Sequence, residues 1–333
     1  MCIDLTCILG GLSYFSEAQG FVCDSVVNFE VVLASGEIVQ ANAKSNPDLY
    51  RALKGGTNNF GIITQIQLPA FKQGNMWGGA LYFAATTYAE IVDSLYTFAS
   101  STDPDPNAHL IAATAHSPAG PVNVVNVYYA KPIPNPPSLA PFTAIQPQLA
   151  QTLREDSLLG FAKEQSEFST NGDRQLFFTT TIKLDKQLLL DLSELFNKAI
   201  ESIKTVPGLT MSMVFQPLTK HMLQQSALKG PNVLGLLPER GPLLITLLNS
   251  VHANAGDDTK VITAATSLLS QIEVLAEQRG LGERYRFLNY AYKSENPIES
   301  YGPDNVSFLQ AVSKKYDPSG FFQTRVPGGF KLP

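Results

Sequence analysis

The stretch NPDLYRALKGGTNNFGII, residues 46–63, encodes a short helix, a glycine-rich loop and the start of a strand in succession. Asn46 is a residue type that caps helix N-termini, and Pro47 suits the first helical position. Gly55 is a typical helix stop, and a β-rich run begins at Ile62. The helix between them carries one apolar stripe at helical spacing, formed by Leu49, Ala52 and Leu53.

A hairpin pattern precedes this stretch over residues 23–40, where a β-rich run, turn residues and a second β-rich run follow one another. Further upstream, Gly10 and Gly11 interrupt an apolar segment. Glycines at such a place let another backbone or a flat ligand approach closely, or they form a tight turn or bulge. On spacing alone a turn is the commoner explanation, and the same holds for the glycines of the 55–61 loop.

The middle of the chain alternates long β-rich runs with long amphipathic helices. Helices are predicted from Asp185 to before Pro207 and from Asp257 to Gly280. This order predicts an α+β fold with a large antiparallel sheet backed by helices on one face. The strand-like runs are Met76–Phe83, Leu110–Ala115, Val122–Tyr129, Gln175–Ile182, Leu209–Phe215 and Leu243–Val251.

Composition excludes several classes of function. The 333 residues carry a net charge of −5 without a block of like charges, so nucleic-acid binding is not expected. The longest apolar runs, such as 243–248, are far shorter than the roughly 20 residues of a membrane span. The N-terminal stretch lacks the basic region of a signal peptide. We therefore expect no membrane partner.

The common catalytic motifs are absent from the sequence. It contains no G-x-G-x-x-G after a strand, no Walker lysine, no G-x-S-x-G and no H-E-x-x-H. The four histidines lie far apart, and the three cysteines lack metal-ligand spacing. No metal site is therefore predicted.

An aromatic run near the C-terminus predicts a strand or extended segment. Tyr285, Phe287, Tyr290 and Tyr292 alternate along it, and Asn289 lies among them. Such a run is usually packing, but buried phenols and amides need hydrogen-bond partners. The segment is therefore a candidate site.

Several short sequence motifs resemble, in residues and in order, those of berberine-bridge-enzyme-like oxidases of the vanillyl-alcohol-oxidase (PCMH-type FAD-binding) superfamily. The resemblance is strong over residues 10–72 and 286–333, where the C-terminal words are similar to the fungal branch. The words are GGLSYFS (10–16), GFVCDSVV (20–27), NPDLYRALKGG (46–56), NFGII (59–63), LNYA (288–291), SYG (300–302), KYDP (315–318) and VPGGFKL (326–332).

The resemblance implies a divided flavin domain around a substrate domain. Residues 1–72 would form the C-terminal half of the FAD-binding domain, 73–285 the substrate domain, and 286–333 a segment that returns to the FAD-binding domain. The implied function is an FAD-linked oxidase of secondary metabolism that transfers hydride from a small molecule to flavin and then electrons to oxygen.

The resemblance also implies site residues. The segment at Gly10, Gly11 and Leu12 would run close to the flavin, and the backbone of Gly61, Ile62 and Ile63 would meet its adenosine end. Asn289 would lie at the flavin ring and orient it or the substrate. Tyr290 would handle the proton, and Tyr292 and Gln216 are weaker catalytic candidates.

The chain departs from the family pattern near its start. The family tethers flavin through a histidine, sometimes also a cysteine, in a segment N-terminal to everything matched here. Leu9 stands in the first place of the family's glycine triplet, and Cys7 is too close to the glycines to match the tethering cysteine. We therefore expect non-covalent FAD if it binds. The alternative is a truncated non-redox relative that serves as a binding or cyclisation chamber without flavin.

Overall fold

The computed structural model describes residues 7–167 and 172–333 and divides the chain into two compact units. The first unit contains Met1–Lys72, His221–Arg240 and Arg284–Pro333. The second contains Gln73–Lys220 and Gly241–Glu283. The predicted domain ranges stay a prediction, because these units record packing within the chain and not independent folding.

Strands and helices alternate along the chain. The strands are β1 Asn28–Val32, β2 Ile38–Asn42, β3 Ile62–Gln67, β4 Met76–Ala84, β5 Ala108–Ser117, β6 Gly120–Tyr129, β7 Gln148–Gln151, β8 Arg154–Asp156, β9 Arg174–Lys183, β10 Thr210–Leu218, β11 Leu243–His252 and β12 Gly282–Glu283. The helices are α1 Ser16–Gln19, α2 Pro47–Leu53, α3 Tyr88–Ala99, α4 Ala140–Thr143, α5 Leu158–Ser166, α6 Lys186–Ile203, α7 Lys220–Leu228, α8 Asp258–Gln278, α9 Pro303–Tyr316 and α10 Phe321–Thr324. Within the described ranges, none of these helices combines the length and the apolar character that crossing a bilayer needs.

The second unit is built on one large antiparallel sheet, which confirms the predicted α+β class. Over the described residues the strand order is β12-β9-β11-β10-β5-β6-β4-β7, with β8 also paired to β4. Each strand-like run predicted for the middle region forms a strand, and both long helices form where the spacing predicted them. Asp185 caps α6, because its carboxylate accepts a hydrogen bond of 2.7 Å from the backbone N–H of Leu188.

One face of this sheet is covered by helices. Helix α8 contacts β9 and β11, and α3 contacts β5. Burial alternates along β5, where Leu110 and Ala112 are buried while Ile111 and Ala113 are half-buried. This period of two indicates that one face packs against α3 and α8. The other face is contacted by α5 at β6, where the amide of Gln165 donates to the Tyr128 hydroxyl at 2.6 Å and Phe161 packs on the Tyr128 ring.

The first unit contains a three-stranded antiparallel sheet of order β2-β1-β3. Phe29 and Val31 of β1 are fully buried. The predicted helix α2 contacts β2 through the apolar stripe described above. The hairpin is confirmed, although its first strand starts at Asn28 and a 3₁₀ turn occupies Val22–Ser25.

Asn46 occupies the predicted N-cap position of α2, but its side chain does not cap the helix. Asn46 has a left-handed backbone, and its side chain makes no cap hydrogen bond. Its amide instead donates to the carbonyl of Gln40 at 2.9 Å, and its oxygen accepts from the Tyr316 hydroxyl at 3.1 Å. Tertiary partners therefore outcompete the local cap.

We expect Leu268→Ala in α8 to lower the free energy of unfolding by about 2–5 kcal/mol, because it leaves a cavity at a fully buried position of the helix. Leu268 is 0% exposed, whereas Val274 of the same helix is 52% exposed. The matched control Val274→Ala should change stability by about 0.5 kcal/mol or less in urea unfolding. Equal losses in the two variants would contradict the assigned packing.

Candidate functional site

The glycine turn at residues 10–11 has a backbone that requires glycine. Gly10 and Gly11 have φ of 101° and 75°, in the region that side chains disfavour. The carbonyl of Gly10 accepts a 2.8 Å hydrogen bond from the N–H of Cys23, and that of Gly11 a 2.9 Å bond from Val22. The 3₁₀ turn at Val22–Ser25 thus fixes the predicted site residues Gly10 and Gly11, and Leu12, buried beside them, extends the segment.

The glycine-rich loop at residues 55–61 lies next to this turn. The N–H of Thr57 donates to the carbonyl of Ile8 at 3.2 Å. A Cβ at Gly61 would lie 2.4 Å from Cγ1 of Val31 and 2.8 Å from the carbonyl oxygen of Val32. Gly61 therefore allows strand β3 to approach β1 closely at its first residues.

A cavity of about 370 Å³ opens on the outer side of this loop and β3. Its volume falls in the range of about 300–1,000 Å³ typical of small-molecule sites. Three predicted cofactor residues, Gly61, Ile62 and Ile63, line it. Ile62 is 58% exposed, so the wall presents an apolar side chain beside backbone groups. The other lining residues are Ile8, Thr57, Asn58, Thr64, Gln65, Ile66, Phe322 and Val326.

The C-terminal tail is fastened to the same loop. The hydroxyl of Tyr301 donates to the carbonyl of Gly55 at 3.0 Å. The amide of Asn59 donates to the carbonyl of Phe330 at 3.0 Å, and the amide of Gln323 donates to Oδ1 of Asn59 at 3.0 Å. The tail and the N-terminal glycine segments therefore form one local structure.

The aromatic run in this tail is not a strand, which corrects the sequence-based expectation. Leu288–Tyr290 forms a turn of 3₁₀ helix, and the N–H of Tyr290 donates to the carbonyl of Phe287 at 2.8 Å. The rings of Phe287 and Tyr290 pack edge to face at 4.9 Å. The aromatic spacing thus reflects ring packing around a turn and not alternation along a sheet.

The turn carries the predicted catalytic residues. Burial raises the pKa of Tyr290 to about 12, so its phenol keeps its proton at neutral pH. Oδ1 of Asn289 is buried and accepts no hydrogen bond from the described residues. An unpaired buried carbonyl oxygen is costly, and a ligand N–H or O–H would satisfy it.

Tyr292 follows on the same segment. Its N–H donates to Oε2 of Glu295 at 2.6 Å, and Glu295 also pairs with Arg286 at 2.9 Å. The ammonium of Lys293 lies 5.7 Å from the Tyr292 ring centroid. Gln216, in contrast, belongs to β10 of the second unit, where it is 5% exposed.

A buried polar network behind the glycine turn was missed by sequence reasoning. The Asp24 carboxylate accepts hydrogen bonds from the N–H of Phe21 at 3.1 Å, the hydroxyl of Ser226 at 2.6 Å and the amide of Asn232 at 2.9 Å. Burial raises the pKa of Asp24, and these hydrogen bonds partly offset that rise. The partner Ser226 is 202 positions away in sequence, so no local pattern could reveal the pair.

Lys54 brings a positive charge into the same interior. Its side chain is 0% exposed, and its Nζ has no hydrogen-bond acceptor in the described part of the chain. The ammonium lies 4.3 Å from the Tyr50 ring centroid, a cation–π contact. The positive charge of Lys54 also partly offsets the rise that burial causes in the pKa of Asp24. The lysine and the carboxylate therefore stabilise each other without direct contact.

We expect Asp24→Asn to change how stability depends on pH. The folded-state pKa of Asp24 lies above its unfolded value of about 3.9, so its contribution is fully present below that pH. The contribution is lost as pH rises through the raised pKa, because the folded chain must then ionise a buried carboxyl. Chemical denaturation should show wild type losing stability relative to the variant from about pH 4 upward. A difference that stays constant with pH would contradict this assignment.

The amino-acid sequence is similar to known proteins along nearly the whole chain. No family model matches the sequence. The chain is 36% identical over 339 residues to the FAD-dependent monooxygenase tpcD of Cochliobolus heterostrophus, covering 97% of this chain and 65% of that protein. It is 32% identical over 335 residues to the FAD-dependent monooxygenase CTB5 of Cercospora nicotianae, covering 97% of this chain and 72% of that protein.

A solved structure gives the same fold. Wild-type BBE-like 1 of Physcomitrella patens aligns with a TM-score of 0.66 at 19% identity, covering 96% of this chain and 69% of that one. The chain spans just under two thirds of the length of tpcD. These relatives show that the chain belongs to the family of the fungal FAD-dependent monooxygenases, and its fold is that of the BBE-like protein.

Proposed function

We propose that this chain supplies the substrate domain and part of the flavin site of an FAD-linked oxidoreductase that oxidises a small secondary metabolite. One observation carries the proposal most strongly. The glycine turn, the cavity beside β3 and the tail with Asn289 and Tyr290 all belong to one compact unit. Family membership favours this function over a chamber without flavin.

The residues of this unit fit FAD. The cavity at Gly61–Ile63 offers an apolar wall and backbone groups to a flat heterocycle such as adenine. The Gly10–Gly11 turn has backbone without side chains, so a flat ring would be able to approach it closely. The unpaired oxygen of Asn289 accepts a hydrogen bond from an N–H group, which the flavin ring possesses.

The chemistry that FAD supplies when bound is acceptance of hydride from a substrate C–H bond and delivery of the electrons to molecular oxygen. Tyr290 keeps a proton on its hydroxyl at neutral pH, so it donates a hydrogen bond to a substrate oxygen or nitrogen. Because this hydroxyl is already protonated, Tyr290 can take up a proton from the substrate only if it passes its own proton on at the same time. Asn289 orients the flavin ring or the substrate. Tyr292 belongs to the same segment.

We expect Asn289→Leu to weaken FAD binding about five- to ten-fold, because the variant loses one neutral hydrogen bond. Binding is measured by quenching of FAD fluorescence as the purified chain is added. Asn197 lies on the exposed face of α6, so Asn197→Leu is the matched control and should bind FAD as wild type does. Unchanged FAD binding by Asn289→Leu would show that this residue is not part of the cofactor site. Absence of FAD binding by the wild-type chain would contradict the proposed function.

We expect Tyr290→Phe to slow flavin reduction about 10²–10⁴-fold while FAD binding is retained, because the variant loses the proton at the reacting centre. The measurement is anaerobic loss of flavin absorbance with a substrate found by screening hydroxylated aromatic metabolites for hydrogen peroxide release. Tyr96→Phe on α3 is the control and should reduce flavin at the wild-type rate. Equal rates in the two variants would assign proton handling to another group.

A further inference from the structure

The turn that carries Asn289 and Tyr290 is held on both sides by one carboxylate. Oε1 of Glu295 accepts a hydrogen bond from the guanidinium of Arg286 at 2.9 Å, and Oε2 accepts one from the backbone N–H of Tyr292 at 2.6 Å. Arg286 lies three residues before Asn289, and Tyr292 lies two residues after Tyr290. We call the arrangement of Arg286, Tyr292 and Glu295 the carboxylate clamp.

The backbone fixes each side of the clamp a second time. The N–H of Glu295 donates to the carbonyl of Tyr292 at 2.8 Å, so these two residues are joined by a hydrogen bond in each direction. The N–H of Arg286 donates to Oγ of Ser300 at 2.9 Å, and that hydroxyl donates to the carbonyl of Pro297 at 2.5 Å. The clamp therefore connects two parts of the segment that are already ordered.

Burial indicates what the ion pair of the clamp is for. The side chain of Glu295 is 7% exposed and that of Arg286 is 26% exposed. Replacing a buried ion pair by apolar residues is often neutral for stability, so stability alone is a weak reason for such a pair. Selection of one conformation is its better-supported role. Here the two carboxylate oxygens take donors from two places in the chain, which an apolar pair cannot do.

The turn between the two sides of the clamp has little to fix it by itself. Leu288–Tyr290 is a single turn of 3₁₀ helix, an element with few internal hydrogen bonds. Oδ1 of Asn289 is buried and has no hydrogen-bond partner among the described residues. The position of this oxygen therefore depends on the residues that flank the turn.

We infer that the carboxylate clamp sets the position of Asn289 and Tyr290 in the flavin site, which makes Glu295 and Arg286 positioning residues for the reaction. This inference rests on the proposed function, because it concerns the same flavin site. Without the clamp the turn takes up several positions, and Oδ1 of Asn289 meets the cofactor in only a fraction of the molecules. The apparent affinity for FAD then falls by that fraction.

A double-variant experiment on the full chain tests this coupling, with FAD binding followed by fluorescence quenching. Glu295→Met removes both acceptor oxygens and should weaken FAD binding about five- to ten-fold, because the hydrogen bond of Asn289 is lost. Glu295→Met combined with Asn289→Leu should bind FAD no more weakly than Asn289→Leu alone, because the clamp then has no amide oxygen to position. Independent effects would multiply to about 25- to 100-fold, and that result would overturn the inference.

Two further variants separate positioning from a general loss of stability. Glu295→Gln keeps an acceptor oxygen and should bind FAD about two-fold or more tightly than Glu295→Met. Glu164→Met is the matched control, because Glu164 is 14% exposed and pairs with Arg154 at 2.5 Å in the second unit. It should bind FAD as wild type does. Equal weakening by Glu164→Met, or no recovery in Glu295→Gln, would contradict a positioning role.

Hydrogen exchange of the chain without FAD tests the clamp by itself. Peptides that cover residues 286–296 should exchange about ten-fold faster in Glu295→Met than in wild type, because the turn opens locally. Peptides from β10 and β11 should keep their wild-type rates. Unchanged exchange over 286–296, or an equal rise in all peptides, would show that the clamp does not hold this turn.

The two proposals fail separately. If wild type binds FAD but the effects of Glu295→Met and Asn289→Leu multiply, the clamp loses its role and the proposed function stands. If wild type binds no FAD, the proposed function falls, and hydrogen exchange still decides whether the clamp holds the turn.

Discussion

The buried carboxylate of Asp24 is the interaction on which the glycine turn depends. It holds the 3₁₀ turn at Val22–Ser25, whose N–H groups in turn hold the carbonyls of Gly10 and Gly11. Its other partners, Ser226 and Asn232, come from a distant part of the sequence. A buried charge without such donors would cost several kcal/mol, so the carboxylate and its donors stabilise the fold only as a set.

The segment that carries Asn232 also shapes the site directly. A methyl group of Leu234 lies 3.4 Å from where a Cβ of Gly10 would stand and 2.6 Å from where a Cβ of Gly55 would stand. The N–H of Val233 donates to the carbonyl of Lys54 at 3.2 Å. This segment leaves from β10 and returns at β11.

The two faces of the large sheet carry different side chains. The helix side is packed with aliphatic residues and stabilises the unit, so substitutions there act on folding. Buried polar atoms without a partner among the described residues occur on both faces, at Thr246 and Ser250 on the helix side and at Thr181 and Asn249 on the other. Each such group costs stability. Tyr290 and Asn289 present a comparable pattern in the first unit, where a neutral phenol and an unpaired amide oxygen lie side by side in one turn.

Local features were readable from the sequence because they depend on neighbours in the chain. The spacing of hydrophobic residues predicted the long strands and helices, and Asp185 predicted the start of a helix. The glycine-containing segments indicated the family. Local reading failed where tertiary partners competed: Asn46 bonds Gln40 and Tyr316 instead of its own helix, and the aromatic run closes a turn through Phe287.

By itself, then, the sequence determined the α+β class, the element order and the FAD-linked family. Only the tertiary structure decided that Asp24 meets Ser226 and Asn232, that Gly61–Ile63 line a cavity and that Asn249 lies beside Ser212. The physical reason is that strand register and long-range pairing arise from packing of the whole chain. A shift of register by one residue would turn Asn249 to the helix side without changing any local pattern.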